Sequence, residues 1–397
     1  MHAIVMAGGE GKRMKSSIPK VLNKVGGEAM ILRIVKKVMS LNIAKIYIVC
    51  GKYEKEIKDC IDNAVIESVK HIDIVYVRQT VPMGTGDAIK CCLQYLPTDT
   101  CHDVLIINGD TPLIDNSLNE FVKCKSPSLM VTSLVNPTGQ GRIIKRSSDG
   151  SFERIVEEKD ATVEEKNINL VNCGVYIISS NDLLEYIPQI TNNNVQCEYY
   201  LTDICGMLSN KLVVHELPQD VQYELVNVNT CQELNNAERI IGEQFFKKNN
   251  LQFRCLQNTD FYKGYIELMK QLSDTLTISS FEEFSEILDS IKANKNHIIY
   301  VLEDINEGKI IANVTIIAER KFIRGGKSAV HIEDVVVDKS CRGRNIGVQM
   351  LRHINALIYD TDAYKVILDC KEELEPFYNN SGYSKTCIQM SKYLSKL

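Results

Sequence analysis

The amino-acid sequence predicts an α/β protein with two domains in tandem, the first with a mostly parallel sheet and the second with a mixed sheet. Its 397 residues are long for a single hydrophobic core and sufficient for two. Up to about residue 245, short apolar runs alternate with helical patterns, as expected for a parallel sheet covered by helices. Beyond that point the order changes to helices followed by several strands.

The strands of the first domain are predicted from short apolar runs, at His2–Met6, Lys45–Cys50, Ile72–Val77 and Val104–Ile107. A helix between the first two is predicted from apolar residues at the i, i+3, i+4 spacing of a buried face, namely Met30, Ile31, Ile34, Val35 and Val38. In sheets of this kind, ligands bind at the carboxyl ends of the strands. We therefore expect functional residues in the loops that follow these strands.

The domain boundary is predicted at the end of a polar helical segment, Cys231–Lys248, which gives domains at 1–248 and 249–397. Helices of the second domain are predicted near Asp260–Asp274, Phe281–Lys292 and Asn345–Tyr359. Its strands are predicted at His297–Leu302, Ile310–Ala318, Val330–Val337, Lys365–Asp369 and Lys385–Tyr393. The order of these elements predicts a mixed α/β unit.

Composition excludes several classes of function. A net charge of −5 provides no basic field for nucleic acid or an anionic membrane. No apolar run is long enough for a membrane-spanning helix, and the N-terminal strand pattern leaves no room for a signal peptide. The 14 cysteines and seven histidines have neither disulfide-framework nor zinc spacing, so we expect a cytoplasmic protein with reduced thiols.

Two loops after predicted strands carry residues suited to phosphate and metal. Ala7–Met14 is rich in glycine, whose backbone N–H groups can approach phosphate oxygens, and Arg13 and Lys20 add cations. Taken alone, this segment is equally compatible with a surface turn. Asp110 follows an apolar strand within Asn108-Gly109-Asp110 and is placed to hold a hard cation such as Mg²⁺. An aspartate that caps a helix or forms a turn is the commoner alternative.

Eight blocks in one order cover nearly all of residues 1–240: MAGGEGKRM with PKVL, QTVPMGTGDA, NGDTPL, NPTGQGRI, IVEEKDAT, VNCGVY, NNNVQCEYYLTD and LVNVN. Together they resemble the N-acetylglucosamine-1-phosphate uridylyltransferase family. The resemblance implies a Rossmann-like nucleotidyltransferase domain that transfers uridylyl from UTP to N-acetylglucosamine-1-phosphate and releases pyrophosphate. Bacterial members continue into a β-helix with hexapeptide repeats, which this sequence does not contain.

The resemblance also implies roles for matching residues. Phosphate binding and catalysis are assigned to Ala7, Gly8, Gly9, Gly11, Arg13 and Lys20. Recognition of uracil is assigned to Gln79, Gly84 and Thr85, because a side-chain amide can both donate and accept hydrogen bonds. Mg²⁺ is assigned to Asp110 and Asn227. The sugar-phosphate pocket is assigned to Gly141, Glu157, Asn172, Tyr200 and Thr202.

In the second domain, VHIEDVVVDKSCRGRNIG reads as an apolar strand, a basic glycine loop and the start of a helix. This arrangement can cradle an anion at the helix N-terminus, although basic turns before helices are common. With DFYKGYIELMKQLS, AERKFI, YKVILDC, PFYNNSGY and IQMSKY, it resembles the GNAT acyltransferases, and specifically the eukaryotic-type glucosamine-6-phosphate N-acetyltransferases, over residues 252–397.

This second resemblance implies acetyl-CoA as co-substrate. The CoA pyrophosphate is assigned to the backbone of Arg342, Gly343, Arg344, Asn345, Ile346 and Gly347, and the pantetheine arm to that of Val335, Val336 and Val337. The amino sugar is assigned to Glu333, Asp334, Lys365 and Asp369. Tyr378 is expected to protonate the departing thiolate. His331 is interpreted as a hydrogen-bonded core residue, and Lys392 is a candidate for a sugar-phosphate contact across a homodimer formed by this domain.

We therefore expect a bifunctional enzyme of UDP-N-acetylglucosamine biosynthesis. It would acetylate glucosamine-6-phosphate and later transfer uridylyl to N-acetylglucosamine-1-phosphate, while a separate mutase moves the phosphate between the two steps. Two alternatives remain open at this stage. The same folds could act on another nucleotide or amino-sugar phosphate, or one domain could be a non-catalytic module that binds ligand.

Overall fold

The computed structural model describes residues 1–9, 11–14, 16, 18–65, 72–273 and 275–392, without the side chains of Lys12 and Val65. The chain divides into two compact units, Met1–Ala237 and Glu238–Leu397. This division lies within the helix that we expected to end the first domain. In the described residues, no helix is long and apolar enough to cross a membrane.

The strands of the first unit are β1 (His2–Met6), β2 (Lys24–Val25), β3 (Glu28–Ala29), β4 (Lys45–Cys50), β5 (Asp73–Arg78), β6 (Asp103–Asn108), β7 (Ser128–Ser133), β8 (Arg142–Lys145), β9 (Phe152–Val156), β10 (Leu170–Ser179) and β11 (Val213–Glu216). Its helices are α1 (Met30–Ser40), α2 (Glu54–Val65), α3 (Thr85–Cys92), α4 (Asn116–Phe121), α5 (Val163–Lys166), α6 (Ser180–Tyr186) and α7 (Asp203–Met207). Helix α8 (Cys231–Lys248) begins in this unit and continues into the second.

The main sheet has the order β11-β7-β10-β6-β1-β4-β5, and the β8–β9 hairpin joins it at β10. Strand β1 is central and pairs in parallel with both β4 and β6, whereas β10 runs antiparallel to its neighbours β6 and β7. The predicted mostly parallel sheet is thus confirmed. Alternate residues of β1 enter different cores, since Ala3 and Val5 belong to one apolar cluster and Ile4 to another.

The second unit contains β12 (Leu251–Cys255), α9 (Tyr265–Met269), α10 (Phe281–Lys292), β13 (His297–Asp304), β14 (Lys309–Arg320), β15 (Ser328–Val337), α11 (Ile346–Tyr359), β16 (Ala363–Ile367) and α12 (Glu375–Asn379). These strands form one sheet in sequence order. All pairs are antiparallel except β15 with β16, which is parallel. The sheet is therefore mixed, as predicted.

Two elements of the second unit differ from the prediction. The helix expected over Asp260–Asp274 is a 3-10 helix, Asn258–Lys263, followed by α9, because Gly264 adopts a left-handed conformation (φ 80°) between them. Asp274 lies outside the described residues. The strand expected at Lys385–Tyr393 is absent from residues 384–392, which carry no regular structure, and Tyr393 again lies outside the described part. Residues 384–392 have no partner strand within the described part of the chain.

A buried ionic network joins β12 to the following 3-10 helix and to β13. Arg254 donates from both terminal nitrogens to Asp260, at 2.7 Å each, and Asp260 is fully buried. Arg254 also bonds to Glu303, which accepts a second bond from Lys263 at 2.6 Å. These bonds lower the pKa of Glu303. The planar guanidinium of Arg254 donates to two carboxylates at once. A lysine ammonium group cannot reproduce this arrangement of donors, so lysine cannot replace arginine here.

We predict that Arg254→Met destabilises the second unit by about 3 kcal/mol or more, because Asp260 becomes a buried charge without its partner. Chemical denaturation of the full chain, followed by circular dichroism, measures this change. Lys385→Met is the matched control, since it removes one exposed ion pair, with Glu372, and should leave the unfolding midpoint almost unchanged. Equal midpoints for Arg254→Met and the wild type would show that the network does not stabilise this unit.

Candidate active sites

The carboxyl ends of β1, β4 and β6 bring three glycine-containing loops together. Backbone bonds of 2.8 Å run from Ala7 N to Val49 O and from Gly109 N to Met6 O. A Cβ at Gly51 would lie 2.7 Å from Gly8 O, and one at Gly109 would lie 2.8 Å from Met6 O. These close approaches exclude side chains, so the sequence places glycine where the loops meet.

The loop after β1 curls towards Lys20 and leaves its first glycines accessible. Gly11 has φ 62°, and a Cβ there would lie 2.5 Å from the Cβ of Lys20, so only glycine fits this turn. No heavy atom lies within 4 Å of a Cβ built at Gly9, among the described residues. Arg13 is exposed on the short 3-10 helix Lys12–Met14. Glu10 and the side chain of Lys12 lie outside the described part.

Lys20 joins two potential metal ligands. Its Nζ donates to Asp110 Oδ2 at 2.5 Å and to Asn229 Oδ1 at 3.0 Å. The side chains of Lys20 and Asp110 are only 12% and 13% exposed. Among the described residues, the second carboxylate oxygen, Asp110 Oδ1, is buried and accepts no hydrogen bond. The site therefore combines a positive charge with a buried carboxylate oxygen that has no hydrogen-bond partner among the described residues.

The asparagine bonded to Lys20 is Asn229, whereas the residue predicted as a metal ligand is Asn227. Asn227 Oδ1 instead accepts a hydrogen bond of 2.8 Å from Thr111 Oγ1. Both residues belong to the same short block, LVNVN, so their type and spacing did not separate them. Asn229 lies two residues before helix α8, and its backbone N–H donates to Glu233 Oε2 in the first turn of that helix at 2.6 Å.

The residues predicted to read the nucleobase are close to one another. Gln79 is 5% exposed, and its Nε2 donates to Gly84 O at 3.1 Å. Gly84 has φ 105°, and a Cβ there would lie 2.5 Å from Tyr199 O. Thr85 Oγ1 accepts from Leu201 N at 2.9 Å. These contacts tie the loop before α3 to the segment that carries the predicted sugar residues.

The predicted sugar-phosphate residues also converge. Thr202 Oγ1 donates to Glu157 Oε1 at 2.8 Å, and a Cβ at Gly141 would lie 3.6 Å from both Glu157 carboxylate oxygens. Asn172 N donates to Gly141 O at 2.9 Å. Burial raises the pKa of Glu157, while the bond from Thr202 opposes the shift. Tyr200 is buried, and its pKa is raised first by this burial and then by the neighbouring carboxylate of Asp160.

In the second unit, β15 separates from β16 partway along its length. In the described part of the chain, their pairing begins at Ser328 and ends at His331, opposite Ile367. Beyond it, Asp334 adopts a left-handed conformation (φ 50°) at an irregularity in the pairing with β14. Asn313 Nδ2 donates to Asp334 O at 2.9 Å and holds this bulge. The open side of β15 at Val335, Val336 and Val337 can therefore pair with an extended ligand.

The loop after β15 presents backbone N–H groups at the start of α11. Gly343 (φ 77°) and Asn345 (φ 62°) are both left-handed, and Arg342, Gly343, Arg344 and Asn345 are exposed, whereas Ile346 and Gly347 are buried. Asn345 is the N-cap residue and, within the described residues, makes no side-chain cap bond. The first-turn N–H groups of a helix have no intrahelical acceptor. They are available to an anion such as a diphosphate.

Three carboxylates and a tyrosine gather near the open part of β15. Burial raises the pKa of Glu333, and the nearby charges of Asp334 and Asp369 raise it further. Tyr378 is 9% exposed, and burial, followed by the charges of Cys370 and Glu333, raises its pKa to about 12. Glu333 is thus suited to accept a proton, and Tyr378 keeps its own proton at neutral pH.

Two cations lie over one ring on the β16 side of this unit. Lys365 Nζ is 5.7 Å and the Arg324 guanidinium 5.1 Å from the ring centre of Tyr364. Sequence reasoning named Lys365 but missed Arg324, which lies in a turn beyond β14. The expectation for His331 was wrong, since its side chain is 33% exposed and pairs with Glu319 at 3.4 Å. Lys392 is exposed on the irregular tail.

Each of the two units matches a different family of known proteins. The family described as "MobA-like NTP transferase domain" matches residues 3–133, and the "Acetyltransferase (GNAT) domain" matches residues 295–385. A probable UDP-N-acetylglucosamine pyrophosphorylase of Acanthamoeba polyphaga mimivirus is 44% identical over 254 residues, which cover 60% of this chain and 96% of the relative.

Two further matches cover different shares of this chain and of the proteins matched. The bifunctional protein GlmU of Clostridium beijerinckii is 37% identical over 267 residues, 64% of this chain and 54% of that protein, so the chain spans about half of it. The crystal structure of glucosamine-6-phosphate N-acetyltransferase from Arabidopsis thaliana is 40% identical over 36% of this chain and 99% of that chain, with a TM-score of 0.35.

The relative that this chain covers almost completely matches it at 44% identity, which is sufficient to establish the family. The second unit carries the GNAT domain, which lies outside the residues matched by the nucleotidyltransferase family. The chain is therefore a transferase that belongs to the UDP-N-acetylglucosamine pyrophosphorylase family of nucleotidyltransferases and carries a GNAT acetyltransferase domain in addition.

Proposed function

We propose that the protein catalyses two transfers in UDP-N-acetylglucosamine biosynthesis. The first unit transfers uridylyl from UTP to N-acetylglucosamine-1-phosphate, and the second acetylates glucosamine-6-phosphate from acetyl-CoA. The observation that carries the first assignment is the cluster of Lys20, Asp110 and Asn229 beside a glycine loop. The second rests on the open side of β15, with Glu333 and Tyr378 close to it.

The metal assignment fits the residues of the first site. Mg²⁺ prefers oxygen ligands, and the buried Asp110 Oδ1 accepts no bond from any described residue. Asn229 supplies a second oxygen on the same ammonium group. We propose Asp110 and Asn229 as the metal ligands, with Asn227 in a supporting position through Thr111. When bound there, Mg²⁺ would neutralise charge on the triphosphate and on the leaving pyrophosphate.

The remaining steps of uridylyl transfer need no protein nucleophile. A phosphate oxygen of N-acetylglucosamine-1-phosphate attacks the α-phosphorus of UTP in line, and the bond to pyrophosphate breaks. The glycine loop at Ala7, Gly8, Gly9 and Gly11 binds the phosphates through backbone N–H groups, and Arg13 and Lys20 balance the charge. Gln79, Gly84 and Thr85 bind the base. Gly141, Glu157, Asn172, Tyr200 and Thr202 position the sugar.

Acetyl transfer proceeds by direct attack of the sugar amine on the thioester. The backbone of Val335–Val337 pairs with the pantetheine arm, and the N–H groups of Arg342–Gly347 bind the CoA diphosphate. Glu333, with its raised pKa, accepts the proton that the amine must lose. Tyr378 donates a proton to the departing CoA sulfur. Asp334 and Asp369 orient the amino sugar, and Lys365 with Arg324 binds its phosphate.

We also propose a homodimer formed through the second unit. Strand β16 lies at one edge of the sheet, and residues 384–392 extend without a partner strand in the described chain. Ile388 and Met390 on this segment are 90% and 93% exposed. A segment with exposed apolar residues and unpaired backbone groups is suited to pair with a second copy. Lys392 would then reach the partner's sugar site.

For uridylyl transfer, Asp110→Asn should lower UTP-dependent pyrophosphate release by about 100-fold or more, because it removes a charged ligand. Asn229→Ala should lower it by about 10- to 100-fold and raise the Mg²⁺ concentration for half-maximal rate. Asn227→Ala should change that concentration much less. Steady-state assays against Mg²⁺ measure all three. A larger shift in Asn227→Ala than in Asn229→Ala would reverse the ligand assignment.

For acetyl transfer, Tyr378→Phe should lower kcat by about 10²- to 10⁴-fold, because the departing thiolate loses its proton donor. The KM for acetyl-CoA should change little, and pyrophosphate release at the other site should be unaffected. Thiol release measures the reaction. Tyr359→Phe, which removes a half-exposed hydroxyl from α11, is the control. An unchanged kcat in Tyr378→Phe would exclude this residue as the acid.

The dimer is tested by light scattering on the full chain. We expect the mass of two chains for the wild type, and the mass of one chain for the double variant Ile388→Glu, Met390→Glu, because burying two carboxylates at the interface is costly. Phe322→Glu alters another exposed apolar residue of the same unit and serves as a comparison. A wild type with the mass of a single chain would exclude the dimer.

A further inference from the structure

The amide of Gln79 is held in one orientation by two groups that can only accept hydrogen bonds. Its Nε2 donates to Asp87 Oδ2 at 2.8 Å and to Gly84 O at 3.1 Å. A primary amide has two N–H donors, so both are used. Rotating the amide by 180° would place its oxygen against a carboxylate and a carbonyl, which repel it. Asp87, with the shorter of the two bonds and a full negative charge, is therefore the main constraint on the orientation of the Gln79 amide, and Gly84 O is the second.

The remaining atom of the Gln79 amide is its oxygen, Oε1, an acceptor that faces the glycine loop. A Cβ built at Gly8 would lie 3.0 Å from Gln79 Oε1. This oxygen therefore lies against the loop that binds the nucleotide in the proposed function. The side chain is 5% exposed, and its backbone N–H donates to Cys50 O at 2.8 Å. The backbone N–H and the side-chain Nε2 of Gln79 are both hydrogen-bonded. The side-chain oxygen therefore cannot easily turn away from a bound base.

We infer that Asp87 is a specificity-determining positioning residue that selects the base of the nucleotide through Gln79. An acceptor at this place pairs with a pyrimidine that carries a ring N–H, as uracil does at N3. Cytosine has a lone pair at N3, which would face the Gln79 oxygen without a proton between them. A buried acceptor left without a donor is costly, so the site favours UTP over CTP.

This inference rests on the proposed uridylyl transfer and adds a second residue to base recognition. Asp87 lies in the first turn of α3 and acts on the base only through Gln79. Asparagine at position 87 can either donate or accept, so only the longer bond to Gly84 O would then oppose a turned Gln79 amide that offers its N–H to cytosine. Glutamate at position 87 can only accept and should preserve the orientation.

The test compares kcat/KM for UTP and for CTP, with N-acetylglucosamine-1-phosphate as acceptor, in the wild type, Asp87→Asn, Asp87→Leu and Asp87→Glu. We expect the UTP/CTP ratio to fall by at least about tenfold in Asp87→Asn and Asp87→Leu, mainly because KM changes. In Asp87→Glu the UTP/CTP ratio should stay close to the wild-type value. Asp99→Asn is the matched control, since within the described part of the chain this exposed carboxylate accepts a hydrogen bond only from its neighbour Thr100.

Binding of UTP and CTP by calorimetry, in the same variants with Mg²⁺, gives a readout that does not depend on turnover. A ratio that stays at the wild-type value in both Asp87→Asn and Asp87→Leu would overturn the inference while leaving uridylyl transfer intact. A wild type that binds both nucleotides equally would also overturn it. A wild type that transfers neither nucleotide to the sugar phosphate would instead contradict the proposed function.

Discussion

The parallel pairing of β1 with both β4 and β6 is the constraint on which the first unit depends. It places the carboxyl ends of three neighbouring strands at one edge of the sheet, so the loops that follow must share a small space. Gly51 and Gly109 lie where these loops touch the backbone of Gly8 and Met6, at distances that exclude a side chain. The same edge carries Gln79 after β5 and Asp110 after β6. In the second unit, the separation of β15 from β16 has the corresponding role.

Carboxylates in this protein fall into two groups that differ in how their charge is satisfied. Glu224 is fully buried and accepts bonds from the backbone N–H groups of Asp115 and Ser117 and from the Ser117 hydroxyl. The bond from Lys309 holds the pKa of Asp338 well below its usual range. Such fully bonded carboxylates stabilise loops. Glu157 and Glu333 have pKa values raised by burial instead. Groups of this second kind are typical of binding and catalytic sites.

The two proposed reactions bind negatively charged substrate groups in different ways. Both must bring negative charge into a site on a chain whose net charge is −5. In the proposed function, the first unit would use the side chains of Arg13 and Lys20, while the second would use backbone N–H groups at the start of α11. Neither reaction forms a covalent link to the protein. The product of the acetyl transfer is not the acceptor of the uridylyl transfer, because a mutase must move the phosphate between them.

The sequence by itself determined the local elements and the families. The buried strand Lys45–Cys50 and the polar helix Cys231–Lys248 were predicted with their observed bounds, because hydrophobic periodicity and turn residues are local properties. Motif blocks named most of the candidate site residues, since each block is contiguous. The predicted strand Lys385–Tyr393 was wrong over its described residues, because a strand needs a partner that a local pattern does not supply.

Only the tertiary structure decided which distant residues meet. It placed Asn229 beside Asp110, 119 positions away in the chain, although Asn227 fits the same motif. It also brought Arg324 to Lys365 through Tyr364, and it showed which atoms of Gln79 are already bonded. Hydrogen bonds depend on atomic positions set by the packing of several strands and loops, and no sequence period encodes them.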